Sequence, residues 1–285
     1  MDIALEDGVF NPYEYEGSPD VDVVYGYLAT ALSFLMFTVI NYVAIHIGPP
    51  KNYKGDTWRW RNTFVSWIHA DIIGVWVLYC LLFRSEVFSA DLILYCDYYI
   101  YTVPAISLGY FMYDFLDHVY NGKVISNYEV ILHHVGVMWT FGYNIQHRVN
   151  IPYSLIALMV EVNSIFLHAR KLMQFDQWPF DHWLYRMVVG LNLITFVRFR
   201  IWTVILIGLG LYKEWHRLTL AYHVFGSITM FIMYLINPIL FWRLFKNDVL
   251  RSCIQHRKSD HKHANGINGV NGKVPELNGD CHKQP

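Results

Sequence analysis

Seven apolar stretches, each near the length a helix needs to cross a bilayer, divide this chain. They cover about residues 23–47, 63–83, 98–119, 128–145, 151–168, 183–211 and 219–245. At 1.5 Å of rise per residue, roughly 20 residues cross a hydrocarbon core about 30 Å thick. Backbone amides find no water in that core, so the chain must satisfy them internally, and runs of this length do so as helices. Composition agrees: 54% of residues are hydrophobic and 16% charged, against roughly 25% charged in soluble proteins. The 10 Trp and 21 Tyr are the residues that belt membrane interfaces. The expected fold class is all-α, a polytopic membrane protein of about seven transmembrane helices. The net charge of -1 says nothing about nucleic acid, but no basic surface interleaved with aromatics stands out, and no nucleic-acid partner is expected.

Residues 1–22 are acidic and contain no Lys or Arg, so the first apolar run lacks the basic flank of a cleaved signal peptide. From residue 252 the chain is polar, with four Asn-Gly pairs, and too little apolar content to offset its ordering entropy; a disordered tail over 252–285 is expected. Lys and Arg outside the runs number fifteen on one side of the expected topology and four on the other. By the positive-inside bias the N-terminus is then outside or lumenal and the C-terminus cytosolic. Cys80, Cys96, Cys253 and Cys281 show no metal-ligand spacing; Cys80 and Cys96 could share a membrane side, and Cys253 is a candidate for reversible acylation.

Ionisable residues inside these runs are the informative exception, since they are costly in a bilayer and usually face a protein interior. The third run carries Asp114, Asp117 and His118 at i, i+3 and i+4, one helical face. The fourth carries Glu129 and His133 on one face, with His134 turned about 100° away. The fifth carries Glu161, Asn163, Ser164 and His168, with Glu161, Ser164 and His168 in one stripe. The sixth carries Arg198 and Arg200, and the second His69 and Asp71. Arg198 and Arg200 either pair with a carboxylate of the third or fifth run or meet a lipid phosphate; pairing is expected for Arg198, and the residues favour neither for Arg200. A His beside a carboxylate suits general-base work, because the carboxylate fixes the tautomer and stabilises the imidazolium. A His can also carry an acyl group as nucleophile. The other reading is that these groups satisfy one another and hold helices together.

Two further readings fit less well. Di-iron lipid desaturases need several His boxes, whereas His133-His134 stands alone, so no metal is expected. Asn237-Pro238-Ile239-Leu240-Phe241 approaches a seven-helix-receptor signature, but the third run ends in Asp117-His118, not Asp-Arg-Tyr, and the middle runs hold many charges. Thr57-Trp58-Arg59-Trp60-Arg61-Asn62 reads as an interfacial anchor.

Taken in order, these stretches resemble the TRAM-LAG1-CLN8 (TLC) domain family, and within it the subgroup of membrane-fluidity regulators. The matching residues are Thr57-Trp58-Arg59-Trp60 with Asn62, Val65-Ser66 and His69; Gly109-Tyr110-Phe111 with Asp114 and Asp117; and Tyr128-Glu129 leading to His133-His134-Val135. Val160-Glu161-Val162, Ile165-Phe166-Leu167, Leu184-Tyr185-Arg186, Asn192-Leu193 and Phe199-Arg200 complete the set. The resemblance implies a TLC domain over 57–248, six helices around a tunnel open to lipid, with the helix at 23–47 outside it.

More distantly the chain is similar to ceramide synthases, which transfer an acyl group from acyl-CoA to an amine using paired His and acidic residues. Their His-Asp-x-x-Asp motif aligns with Val160-Glu161-Val162-Asn163-Ser164, so only one acid is kept, and ceramide synthesis stands as an alternative. The nearer subgroup implies a regulator of phospholipid acyl composition at the plasma membrane, limiting incorporation of long-chain polyunsaturated acyl chains. An endoplasmic reticulum location and a non-catalytic lipid-binding or accessory role are the alternatives. On this reading His133, His134, Asp114, Asp117 and Glu161 are candidate catalytic residues. His133 would be base or acyl carrier, Asp117 or Glu161 its orienting partner, and His134 a contact to the acyl carbonyl. Ser164, Asn163, His118, His168 and Arg198 are candidate lipid contacts. Membrane phospholipids and acyl chains are the expected partners. No bound cofactor is expected, and acyl-CoA is the candidate co-substrate.

Overall fold

A computed structural model describes residues 20–247. The expected tail, the acidic segment before residue 20, Cys253 and Cys281 lie outside the described residues. Contacts divide the chain into units 1–241 and 242–285; the architecture below belongs to the first.

The secondary structure is helical, with no strand among the described residues. The first three helices start where an aspartate can cap them. In α1 (Val23–Ile47) Asp22 accepts from the Val24 N–H, in α2 (Thr57–Phe83) Asp56 accepts from Trp58, and in α3 (Tyr98–Tyr120) Asp97 accepts from Ile100. Each cap satisfies an N–H that the first turn leaves without a partner. α4 (Tyr128–His147) ends at Arg148 in the left-handed region. α5 (Ile151–Leu158) and α6 (Val160–Phe175) are separated by Met159 alone. α7 (Trp183–Thr195) runs through a π-helical stretch, Phe196–Ile201, into α8 (Trp202–Lys213). α9 (Leu220–Phe245) continues through Pro238.

Five stretches are long and apolar enough to cross a membrane: Val23–Ile47, Thr57–Phe83, Ile151–Phe175, Trp183–Lys213 and Leu220–Phe245. The protein is a multi-pass membrane protein. α3 and α4, of similar length, carry Asp114, Asp117, His118, His133 and His134 and are absent from that set. Several expected boundaries move. α2 begins at 57, not 63, because the Asp56 cap outweighs the low hydropathy of the Trp/Arg segment. The fifth run continues to 175 and breaks at Met159.

Two helix pairs set the frame. α1 lies along α3, where Gly109 faces the Thr30 carbonyl and Ser33 too closely for any side chain. Thr30 and Ser33 hydroxyls donate to the Ala105 and Ile106 carbonyls at 3.1 and 2.6 Å. α2 lies along α6, and a Cβ on Gly74 would stand 3.2 Å from the Glu161 carbonyl oxygen. Close backbone approach through small residues is how helices associate where solvent gives no hydrophobic drive.

Loops tie together at opposite ends of the helices. At one end Asp22 N–H donates to Tyr98 Oη at 3.1 Å, Asn150 N–H to the Ile93 carbonyl at 2.7 Å, and Arg217 to Asp91 at 2.6 Å. At the other, Lys123 bonds Asp56 at 2.8 Å and Gln177 the Asn52 carbonyl at 2.6 Å. Cys80 and Cys96 are buried free thiols, not a disulfide.

Candidate functional site

A cavity of about 430 Å³ opens inside the bundle, lined by α2 to α6, the π-helical stretch, α8 and α9. Its lining on α4 runs from Glu129 to Asn144, roughly 22 Å along the axis at 1.5 Å per residue. The character changes along that length. Trp58, Arg59, Asn127 and Lys171 line one end, and His118, His133, His134, Glu161, His168 and Arg200 lie further in. Val137, Phe141, Ala157, Ile207, Leu211 and Met230 follow, and the far end turns polar again with Asn144, Ser154, Tyr153 and Tyr222. α1 contributes nothing to the lining.

Asp114 is the hub of the polar part. Asn62 donates to its Oδ1 at 2.6 Å. His118 Nδ1 lies 3.3 Å from its Oδ2 and 2.8 Å from its backbone carbonyl. Facing a carbonyl, that nitrogen carries a proton. His134 Nδ1 stands 3.2 Å from Asp114 Oδ2, at ion-pair distance but outside hydrogen-bond alignment. Asp114, His118 and His134 are all buried. Phe111 packs beside both imidazoles of the pair, its ring centroid 6.1 Å from His133 and 5.1 Å from His134, while the two imidazoles lie 5.6 Å from each other.

A second group forms on α6. Arg200 Nε donates to Asn163 Oδ1 and its NH2 to Ser164 Oγ, both at 3.1 Å. It lies in electrostatic range of Glu161, His133 and His168. His69 Nδ1 is 3.8 Å from Glu161 Oε2, and its ring stacks on Tyr110 at 3.8 Å. His69 Nε2 and the Nδ1 atoms of His133, His134 and His168 are buried without a protein hydrogen-bond partner. Polar atoms left in that condition are costly and mark a surface that accepts polar partners.

The geometry redistributes several expected roles. Asp117 does not line the cavity; its carboxylate takes Trp58 Nε1 at 2.8 Å, Arg61 at 2.7 Å and Asn121 at 3.1 Å. It fastens α3 to α2 and cannot orient His133. Asn163 is fully buried away from the cavity and bonds Asn192 and Thr195, joining α6 to α7. No carboxylate stands within ion-pair distance of His133 among the described residues; Asp114 beside His134 has that place. Arg198 is exposed, with its guanidinium 5.7 Å over the Phe199 ring, and pairs with no carboxylate of α3 or α6. Arg200 has the inward position. Residues two apart point to opposite sides of a helix, so one of the two had to turn outward, and the π-helical stretch sets which.

On α2 the in-membrane His69 lines the cavity together with Asn62 and Ser66, two neutral residues that a search for ionisable groups passes over. Spacing of i, i+4 and i+7 within an apolar helix was the signal. Among the described residues, no three His, Cys, Asp or Glu side chains converge as a metal site.

Fold and site together define a helical multi-pass membrane protein with a buried His/Asp/Arg cluster above an apolar channel. Residues 59–246 match the family model of the TLC domain (TRAM-LAG1-CLN8). Danio rerio TLC domain-containing protein 2 is 32% identical over 225 residues, covering 79% of this chain and 91% of the relative. Homo sapiens TLC domain-containing protein 1 is 28% identical over 232 residues, covering 80% and 91%. The chain belongs to the TLC domain family. No solved structure matches it.

Proposed function

We propose that this protein binds acyl chains of membrane lipids in the cavity and transfers them, so adjusting phospholipid acyl composition and membrane fluidity. The supporting observation is the order of the lining: polar cluster first, apolar channel beyond. Such a cavity suits a ligand with one reactive polar group and a long hydrocarbon chain. The names of the relatives give only the domain; the role in limiting polyunsaturated chains at the plasma membrane rests on the family resemblance alone.

In the catalytic form of this reading, His134 is the base and Asp114 holds it. His134 takes the proton from a hydroxyl or amine of the acceptor phospholipid as that atom attacks an acyl thioester such as acyl-CoA. The new C–O or C–N bond forms, the C–S bond breaks, and the proton passes to the leaving thiolate. Arg200 and His133 face the acyl oxygen, where charge develops in the transition state. Lipidomics of cells expressing wild type or His134→Ala at equal level tests this. A shift in polyunsaturated phospholipids with the wild type alone is the expected result; identical profiles would remove the catalytic role.

A second reading, lipid binding without chemistry, draws on the bent Asp114–His134 approach and the structural duty of Asp117 and Asn163. It requires His134→Gln to keep the full lipid phenotype.

A further inference from the structure

Three Lys or Arg side chains line the cavity, and their surroundings differ. Arg200, in the interior, is held by Asn163 and Ser164. Arg59, in the first turn of α2, and Lys171, near the end of α6, lie together at the cavity mouth, within electrostatic range of each other. Neither makes an ion pair or a side-chain hydrogen bond among the described residues. Lys171 is half-buried, with Nζ 6.0 Å from the centre of the Phe175 ring.

Their basic neighbours are already matched. Arg61 bonds Asp117 at 2.7 Å and Lys123 bonds Asp56 at 2.8 Å. Asp56, the carboxylate in range of Arg59, is thereby occupied. Two contacts fix the frame around the mouth: Tyr53 packs on Phe175 at 4.9 Å, and Gln177 bonds the Asn52 carbonyl. Arg59 is exposed and Lys171 half-buried, so both reach a ligand that enters from this end. Held at one opening without a counterion from the protein, they suit a multiply charged anion. Arg and Lys together match phosphate oxygens, the first by its planar fork and the second as a point charge.

We propose that Arg59 and Lys171 bind the phosphate of an acyl-bearing ligand at the cavity mouth. Lys171 and Ser164 are seven residues apart on α6, so this phosphate stands roughly 10 Å along the axis from the Arg200 cluster. The inference rests on the reading that the cavity receives the acyl chain. The phosphate comes from a phospholipid headgroup or from the nucleotide part of an acyl thioester; both present the same chemistry.

Binding of three oleoyl probes to the full-length protein in detergent separates these cases: lysophosphatidate, oleoyl-CoA and uncharged monooleoylglycerol. The R59Q/K171Q double variant is expected to bind one or both phosphate probes roughly tenfold more weakly, the weight of one charged hydrogen bond, and monooleoylglycerol as the wild type does. Loss confined to lysophosphatidate assigns the site to a headgroup, and loss confined to oleoyl-CoA assigns it to the nucleotide; either supports the proposal. R59K/K171R, which keeps both charges, is expected to bind normally. Unchanged phosphate-probe binding by R59Q/K171Q overturns the proposal. So does an equal fall for all three probes at an unchanged melting temperature. Failure of monooleoylglycerol to bind the wild type counts against the acyl-chain reading, whereas the mouth is judged on the phosphate arms.

Discussion

Asp114 and His134 meet across the α3–α4 interface, with carboxylate Oδ2 3.2 Å from imidazole Nδ1 and both side chains buried. The same carboxylate serves His118 and Asn62. One acid thus organises three polar groups at the entrance to the apolar channel.

Asp114→Asn keeps the shape and an oxygen for Asn62 while removing the charge. Loss of a supported general base typically costs 10² to 10⁴ in rate. A fall of about that size in lipid acyl transfer is expected, with the protein still folded; assay of purified variants by mass spectrometry measures it. Activity within a few-fold of wild type would leave Asp114 a purely structural hub.

Asp117 should behave in the opposite way. Asp117→Ala strands Arg61 and Trp58 at the α2–α3 contact, and breaking a buried pair costs about 3 kcal/mol. Thermal unfolding in detergent is expected to show that loss, with activity per folded molecule retained.

The two arginines of the π-helical stretch give a paired comparison. Arg200→Gln removes the donors to Asn163 and Ser164 and the cation facing the cavity. It is expected to abolish the effect on cellular phospholipid profiles, while Arg198→Gln leaves it intact. The reverse pattern in parallel lipidomics would show that the orientation is wrong.

Outside the membrane, burial draws the Asp91 carboxyl upward, but the Arg217 bond and the Ile93 and Leu94 N–H groups outweigh it and hold it below its ordinary range. A lowered acid stabilises the fold above its unfolded value, near 3.9, and that contribution fades as pH falls through the lower folded value. The pair is partly exposed, so about 0.5 kcal/mol is expected. The melting temperatures of wild type and Asp91→Asn should differ slightly at neutral pH and converge below about pH 4.

Much of this was legible in the chain because apolar periodicity and buried charge are local signals. The runs gave the helices, and the exceptions within them, Asp114, His118, His133, His134, Glu161, Ser164 and His168, all line the polar part of the cavity. Roles fixed by distant partners were not legible. Asp114 and Asp117 share a helical face, yet only Trp58 and Arg61, more than fifty positions away, decide that Asp117 is structural. Arg198 and Arg200 are equivalent to any periodicity argument until the π-helical stretch sets the register. The break at Met159 has no Gly or Pro to announce it, and the early start of α2 depends on a cap that hydropathy does not see.

The central claim is that the cavity holds an acyl chain with its reactive group at the Asp114–His134–Arg200 cluster. A cryo-electron microscopy map of the protein in lipid nanodiscs supplemented with an oleoyl lipid tests this most directly. The expected density is a continuous chain past Phe141 toward Leu211 and Tyr222, its acyl oxygen about 3 Å from Arg200 or a paired-His nitrogen. Ordered lipid confined to the outer faces of the helices, with the channel filled by repacked side chains, would contradict it.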